Sequence, residues 1–182
     1  MYNRPGTYLY FYGKLEAKPN RKMGHVTVFA EDADKTEGSF ACMVVIRELD
    51  SSEVDRVAEI WLKMNKITHD YIDSSFWDKN LAEVRSQFLE SEIYVAVDKQ
   101  NICGFIGLTG EFVAGLFVET HYQSKGIGKQ LLNTAKHYHT HLDLHVYSAN
   151  QKAIKFYLSQ GFEIDSVGVD ASTNQKEYLL SW

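Results

Sequence analysis

The sequence is poor in the residues that staple small proteins together. Its 182 residues include two cysteines, Cys42 and Cys103, too few for a disulfide framework and without the C-x-x-C spacing of a zinc or redox site. Small buried thiols in a reducing compartment are expected instead. No apolar run approaches the length of a membrane span, and the start Met1-Tyr-Asn-Arg-Pro-Gly has no signal-peptide core, so a cytoplasmic protein without a membrane partner is expected. Positive charge is not in excess. Nineteen Lys and Arg against twenty-four Asp and Glu give a net charge of −5, which supplies no field for nucleic acid and mildly favours cationic partners such as amines. There is no internal repeat and no low-complexity tract. The two prolines, Pro5 and Pro19, both fall within residues 1–41, whose texture differs from the rest.

What is present is the composition of a globular chain, 45% hydrophobic and 24% charged, long enough for one main core. Residues 8–12 and 26–29 are β-branched or aromatic and predict two strands around a polar segment. Residues 31–39 have linker composition. The organisation expected is therefore a β-hairpin extension and linker over 1–41, then a main domain over 42–182. In that domain a strand at 44–46 leads to Asp50-Ser-Ser-Glu53, which has capping-box spacing, and a helix to about Thr68. A second helix is expected after Ser74 or Ser75, with Phe76, Leu81, Val84 and Phe88 as its buried stripe. Strands at 92–97, 102–108 and 112–118 form an antiparallel meander, followed by a helix, a strand at 142–147, a helix at 150–160 closed by Gly161, and a final hairpin. This order predicts an α/β (α+β) fold: a mixed, mainly antiparallel sheet with helices on both faces, one helix crossing between two parallel strands.

The segment Val118-Glu-Thr-His-Tyr-Gln123-Ser124-Lys125-Gly126-Ile127-Gly128-Lys129 leaves an apolar strand and enters an amphipathic helix, whose face is set by Ile127, Leu131, Leu132, Ala135 and Tyr138. Unpaired N–H groups and the positive dipole end at such a start favour an anion, the glycines admit it closely, and Lys125 and Lys129 add charge. This reads as a pyrophosphate cradle. A Rossmann fingerprint would need glycine where Leu131 stands, and a Walker A loop would need Ser or Thr where Gln130 stands.

With Val118, Gln123, Gly126 and Gly128, the stretch resembles motif A of the GNAT superfamily of N-acetyltransferases. Asn150-Gln-Lys-Ala153-Ile-Lys-Phe156-Tyr157-Leu-Ser-Gln-Gly161-Phe162 resembles the same family's motif B, and the element order extends the likeness over 43–182. The resemblance implies acetyl-coenzyme A as co-substrate, held by residues 116–118 (Leu116, Phe117, Val118), by Gln123 to Lys129, and by Asn150, Ala153 and Phe156. It implies direct transfer to an amine, with a backbone N–H near Val118 for the oxyanion and Tyr157 protonating the departing thiolate. A phenol of pKa about 10 and a thiol of about 8.5 are near-matched for that step. The acceptor expected is a small-molecule amine or a protein amino terminus, with no metal.

The base departs from the histone-type pattern, where a glutamate would stand at the position of Phe112; Glu111 falls on the other strand face. His69, at the junction of the first two helices, and His145 are the candidates, with ordered water as the alternative. His69, Asp70, Trp77 and Tyr147 are the acceptor-site candidates, and Trp77, Phe117 and Tyr147 could form an aromatic wall. His137, His139 and His141 diverge on a helix and read as a solvated helix end complementing the dipole.

Residues 12–27, with Tyr12-Gly-Lys14 and Arg21-Lys22-Met-Gly-His25, resemble the carboxy-terminal strands of carboxyaminoimidazole ribonucleotide synthetase, an ATP-grasp enzyme of the purine pathway. The hairpin is expected to serve packing or a homodimer contact. The alternatives to catalysis are an acyl-coenzyme A sensor on the same fold and a purine-ribonucleotide module at Lys14, Arg21 and Lys22.

Overall fold

Two apolar segments near the amino terminus, β1 (Thr7–Phe11) and β2 (Gly24–Val28), pair antiparallel, with Thr7 opposite Val28 and Phe11 opposite Gly24. In the computed structural model the chain divides into two units, Met1–Phe40 and Ala41–Trp182. The structure describes residues 7–11, 24–28 and 44–182. The linker expected at 31–39, together with Lys14, Arg21, Lys22 and Cys42, lies outside the described residues.

The second unit opens with β3 (Val44–Glu48) and a 3-10 turn in which Asp50 and Glu53 form the expected capping box. Asp50 accepts from the Ser52 N–H at 2.9 Å, and Glu53 accepts from the Asp50 N–H at 3.3 Å. Helix α1 (Val54–Thr68) buries Val57, Ile60 and Met64 at helical spacing. Helix α2 (Ser74–Phe88) is capped by Asp73, not by Ser74 or Ser75: its carboxylate accepts from the Ser75 N–H at 2.8 Å. Asp73 has a non-helical backbone, φ −54° and ψ 127°, as an N-cap residue does. The buried residue of α2 is Trp77, whereas Phe76, Leu81, Val84 and Phe88 are half-buried. The expected stripe is shifted because α2 packs chiefly on α1, with Trp61 and Trp77 edge to face at 5.8 Å.

The meander follows as β4 (Glu92–Asp98), β5 (Asn101–Thr109) and β6 (Phe112–Val118). Helix α3 (Ile127–Tyr138) crosses to β7 (Asp143–Tyr147), and α4 (Gln151–Ser159) leads to the hairpin β8 (Glu163–Asp170) and β9 (Gln175–Ser181). The strands form a seven-stranded sheet of order β3-β4-β5-β6-β7-β9-β8, antiparallel except for β6 and β7. β4 and β5 are apolar nearly throughout because both faces are covered. Ile93, Val95 and Val97 meet α1, while Tyr94 and Ala96 belong to the larger core with Ile127, Leu131, Leu132, Ala135 and Ile154. The mixed sheet with helices on both faces expected from the sequence is the fold observed. Of the apolar face expected on α3, one position misses the core: Tyr138, at the end of the helix, is exposed and stacks on Tyr94 at 5.7 Å.

Candidate active site

The one parallel pair in the sheet opens at the site. β6 and β7 are in register at Phe112 opposite Asp143 and part beyond it, fastened by Asp143 N–H donating to the Glu111 carbonyl at 2.9 Å. On its other edge β6 stays paired with β5, with a bulge at Ala114. The Glu119 N–H donates to the Cys103 carbonyl, so ladder alternation turns the N–H and C=O groups of Leu116 and Val118 away from β5 and toward the opening. Gln123 takes the Val118 carbonyl with its amide at 2.9 Å and accepts from Lys152 at 2.6 Å, joining the end of β6 to the start of α4.

From there the chain enters α3 through two left-handed backbone positions, unusual for the serine and ordinary for the glycine. Ser124 has φ 61° and Gly126, the N-cap, φ 80°. No side chain caps α3, and its first helical bond is Gln130 N–H to the Gly126 carbonyl, which leaves the N–H groups of Ile127, Gly128 and Lys129 facing outward. The two glycines differ. A Cβ on Gly126 would meet nothing within 4 Å, so glycine is needed there for its backbone shape rather than for closeness. At Gly128 a Cβ would lie 3.5 Å from both Leu116 and Phe156, so this is the point where β6, α3 and α4 converge. Ile127 is buried, while Lys125 and Lys129 are exposed, with the Lys125 ammonium 5.3 Å from the Tyr122 ring centroid.

Helix α4 is N-capped by Asn150, whose side-chain oxygen accepts from the Ala153 N–H at 3.1 Å. Asn150→Ala should lower stability by about 1 kcal/mol, read as a drop in the denaturation midpoint. Tyr157 is buried, its ring edge-on to Phe156 and Phe162 at 5.2 and 5.5 Å. Burial pushes its phenol well above the ordinary value. The near-match to a thiol expected from exposed-group values therefore does not hold for the phenol alone; a thiolate leaving into the same apolar surroundings is lifted by the same desolvation.

Where α1 ends, an aromatic box forms around His69. The α1 terminus is closed by His69 N–H donating to the carbonyl of buried Asn65 at 2.8 Å, and the Asn65 amide donates back to Trp61 at 3.0 Å. The imidazole is half-buried, stacked on Trp77 at 5.7 Å with the planes inclined by 29°, and edge to face with Tyr147 at 5.1 Å. Its Nδ1 lies 2.9 Å from the Tyr71 hydroxyl. Burial lowers its pKa, and no carboxylate pairs with it among the described residues, so the ring is neutral near pH 7. Trp77 Nε1 is buried without a hydrogen-bond partner. Tyr147 donates to Asp170 at 2.5 Å, and Thr173 donates to the same carboxylate at 2.9 Å.

The other candidates separate. Asp70 is exposed in the turn after His69. His145 is exposed, paired with Glu177 at 3.1 Å and edge-on to Phe112, without ring contact to His69. Phe117 does not join the wall of Trp77 and Tyr147. It stacks on Phe105 at 5.0 Å and lies over Gly115, where a Cβ would approach its ring to 2.4 Å. Sequence reasoning did not pick out Tyr71, Trp61, Asn65, Asp170 or Thr173 as neighbours of the site; an Asp two residues before a Ser is a turn signature, but nothing local ties it to His69. α3 ends at Tyr138, so His139 and His141 lie beyond it, paired with Glu92 at 3.3 Å and Asp143 at 3.0 Å. Among the described residues no three His, Cys, Asp or Glu side chains are gathered as a metal would need.

Residues 90–164 match the family model described as acetyltransferase (GNAT) domain, and residues 1–39 that of the phosphoribosylaminoimidazole carboxylase C-terminal domain. Peptidyl-lysine N-acetyltransferase YiaC of Escherichia coli is 33% identical over 140 residues, covering 76% of this chain and 96% of that relative. N5-carboxyaminoimidazole ribonucleotide synthase of Staphylococcus haemolyticus is 51% identical over 35 residues, 19% of this chain and 9% of that enzyme. Apo YjaB from Escherichia coli superposes with a TM-score of 0.69 at 25% identity, over 77% of this chain and 97% of that one. PaiA N-acetyltransferase from Thermoplasma acidophilum, solved with coenzyme A, gives 0.65 at 19% identity, over 76% and 97%, a likeness of fold. Both likenesses noted in the sequence are borne out, and with 33% identity over 140 residues that span nearly the whole of an acetyltransferase, the chain belongs to the GNAT family of N-acetyltransferases.

Proposed function

We propose that the enzyme moves an acetyl group from acetyl-coenzyme A directly to a primary amine, and that the amine is the side chain of a peptidyl lysine. The observation that carries this reading is the parting of β6 from β7 beside an uncapped helix start, which leaves backbone donors unspent. The outward N–H groups of Ile127, Gly128 and Lys129 suit the pyrophosphate, and the opening suits a thin pantetheine arm. The acceptor follows from the names of the relatives YiaC and YjaB, both peptidyl-lysine N-acetyltransferases. An overall acidic chain favours such a cation.

In this mechanism His69 takes the proton from the attacking nitrogen. Its burial keeps the ring neutral, whereas His145 is exposed and tied to Glu177. With Nδ1–H donated to the Tyr71 hydroxyl, Nε2 is the basic nitrogen. As the nitrogen bonds to the thioester carbon, the Val118 N–H donates to the oxygen that gains charge. When the carbon–sulfur bond breaks, Tyr157 gives its hydroxyl proton to the thiolate. The products are the acetylated lysine and coenzyme A.

The test is a titration of acetyl-coenzyme A by calorimetry, then thiol release over a panel of lysine peptides, peptide amino termini and free amines. Binding with turnover on lysine peptides is expected. No binding at micromolar concentration removes the reading, and turnover on free amines alone removes the lysine assignment. His69→Gln should slow turnover roughly thirtyfold, below the usual hundredfold for a positioned base because water reaches a half-buried site. The pH profile carries the sign. A base works when neutral, so activity is present above the His69 pKa and lost as pH falls through it. Burial puts that limb below the ordinary 6.5, and His69→Gln should abolish it.

A further inference from the structure

We propose that Asp170 and Thr173, at the tip of the β8–β9 hairpin, are positioning residues that act through Tyr147 on the His69 imidazole. The inference rests on the reading of His69 as the base. Tyr147 projects from β7 on the same face as His145, and its ring is the wall of the box supplied by the sheet; Trp77 and Tyr71 come from the helical side. Its hydroxyl is not left to water. It donates to Asp170 Oδ2 at 2.5 Å, Thr173 donates to the same oxygen at 2.9 Å, and the Thr173 hydroxyl lies 3.3 Å from the Tyr147 oxygen. The other carboxylate oxygen accepts from the Ser172 N–H at 2.8 Å and its hydroxyl at 2.7 Å, which holds the turn in place.

Burial alone would raise the Asp170 pKa, but the hydrogen bonds from Ser172, Tyr147 and Thr173 outweigh it and bring it to about 2, so the group is charged throughout the working range. A charged carboxylate on the phenol proton makes the tyrosine ring electron-rich. An electron-rich ring against imidazole favours the protonated form, the form His69 reaches when it accepts the amine proton. Tyr147 keeps its own proton: burial and Asp170 both push its phenol far up, so the network orients and polarises without passing a proton. The groups facing His69 are Tyr71 and neighbouring Asp70 from the turn, Trp77 from α2 and Tyr147 from β7, with Asp170 and Glu177 behind the phenol. Of the two carboxylates, Asp170 is the one hydrogen-bonded to the Tyr147 hydroxyl, while Glu177 pairs with His145.

Asp170→Asn and Tyr147→Phe separate this role from a structural one. Asparagine keeps an oxygen for the Ser172 N–H and so keeps the turn, but loses the charge. Phenylalanine keeps the ring against His69 and loses the hydroxyl. The first readout is the histidine titration by NMR on the full chain, with the His69 signal assigned by its loss in His69→Gln. Both variants should lower the proton affinity of His69 roughly threefold, and the double variant should go no further than either single. The acid limb of kcat/KM should move with the NMR titration by the same amount. An unchanged His69 titration in both variants overturns the proposal, as does an additive double variant. If the titration moves as expected while His69→Gln keeps full turnover, the coupling stands and the base assignment falls.

Discussion

Gly126→Glu and Gly128→Glu should each weaken acetyl-coenzyme A binding on the order of a hundredfold or more, for different reasons. At position 126 the obstacle is backbone and charge. The residue sits at φ 80°, where an L side chain costs roughly 1–2 kcal/mol, and a carboxylate would stand at the positive mouth of α3 in place of a phosphate. No atom opposes it, so Gly126→Asn, neutral and tolerant of this conformation, should bind within about tenfold of the parent. At position 128 the obstacle is space. Leu116 and Phe156 are already at 3.5 Å from a Cβ, so a longer side chain must either part β6 from α4 or turn into the opening. Calorimetry on the three variants decides the matter. Affinity that survives both glutamates removes the cradle, and loss in the asparagine variant equal to that in Gly126→Glu assigns the effect to backbone strain rather than to the anion.

The parts of this molecule legible in the sequence are those whose causes lie within a few residues. The capping box Asp50–Glu53 and the apolar face of α3 as far as Ala135 are written in a few turns of chain, and both are found. Asp73-Ser74-Ser75 shows the limit of local reading. All three residues cap well, and the choice falls to Asp73 because the helix begins at Ser74, which leaves Asp73 as the flanking residue with a non-helical backbone. The stripe expected on α2 is half-buried for a related reason: helical periodicity gives a face but not the partner, and here Trp77 turns to Trp61 of α1 while Phe88 reaches Phe105 of β5. The opening between β6 and β7 has no local signature at all. It depends on a single register pair between segments separated by a whole helix, and on a bulge at Ala114 that resets which amides face outward. The box around His69 is harder still. It gathers a helix terminus, a turn, a second helix, a strand and the tip of a hairpin, so Asp170 is invisible to any window of sequence that contains His69.

Tyr157→Phe should reduce kcat on the order of a hundredfold while leaving acetyl-coenzyme A affinity and stability close to those of the parent. The ring is what packs against Phe156 and Phe162, and phenylalanine keeps that ring; what is lost is one hydroxyl proton. An acid acts while protonated, so its contribution is present below its pKa and lost as pH rises through it. For an exposed phenol that loss would begin near pH 10, but burial moves the Tyr157 limb upward, above that value. The parent should therefore show no alkaline limb from this residue, and the pH profile of the variant should be the profile of the parent scaled down, with the His69 limb unmoved. A profile that changes shape would mean that the hydroxyl tunes the base instead of protonating the leaving thiolate. Wild-type turnover would remove the acid role altogether, leaving Tyr157 as a core tyrosine and solvent as the proton source. The raised pKa also makes the phenol a weak acid, which is compatible with the role only if sulfur develops its charge in the same dry surroundings. A single glutamate at Leu116, introducing charge and water beside Gly128, should therefore depress kcat even in molecules that still bind the donor.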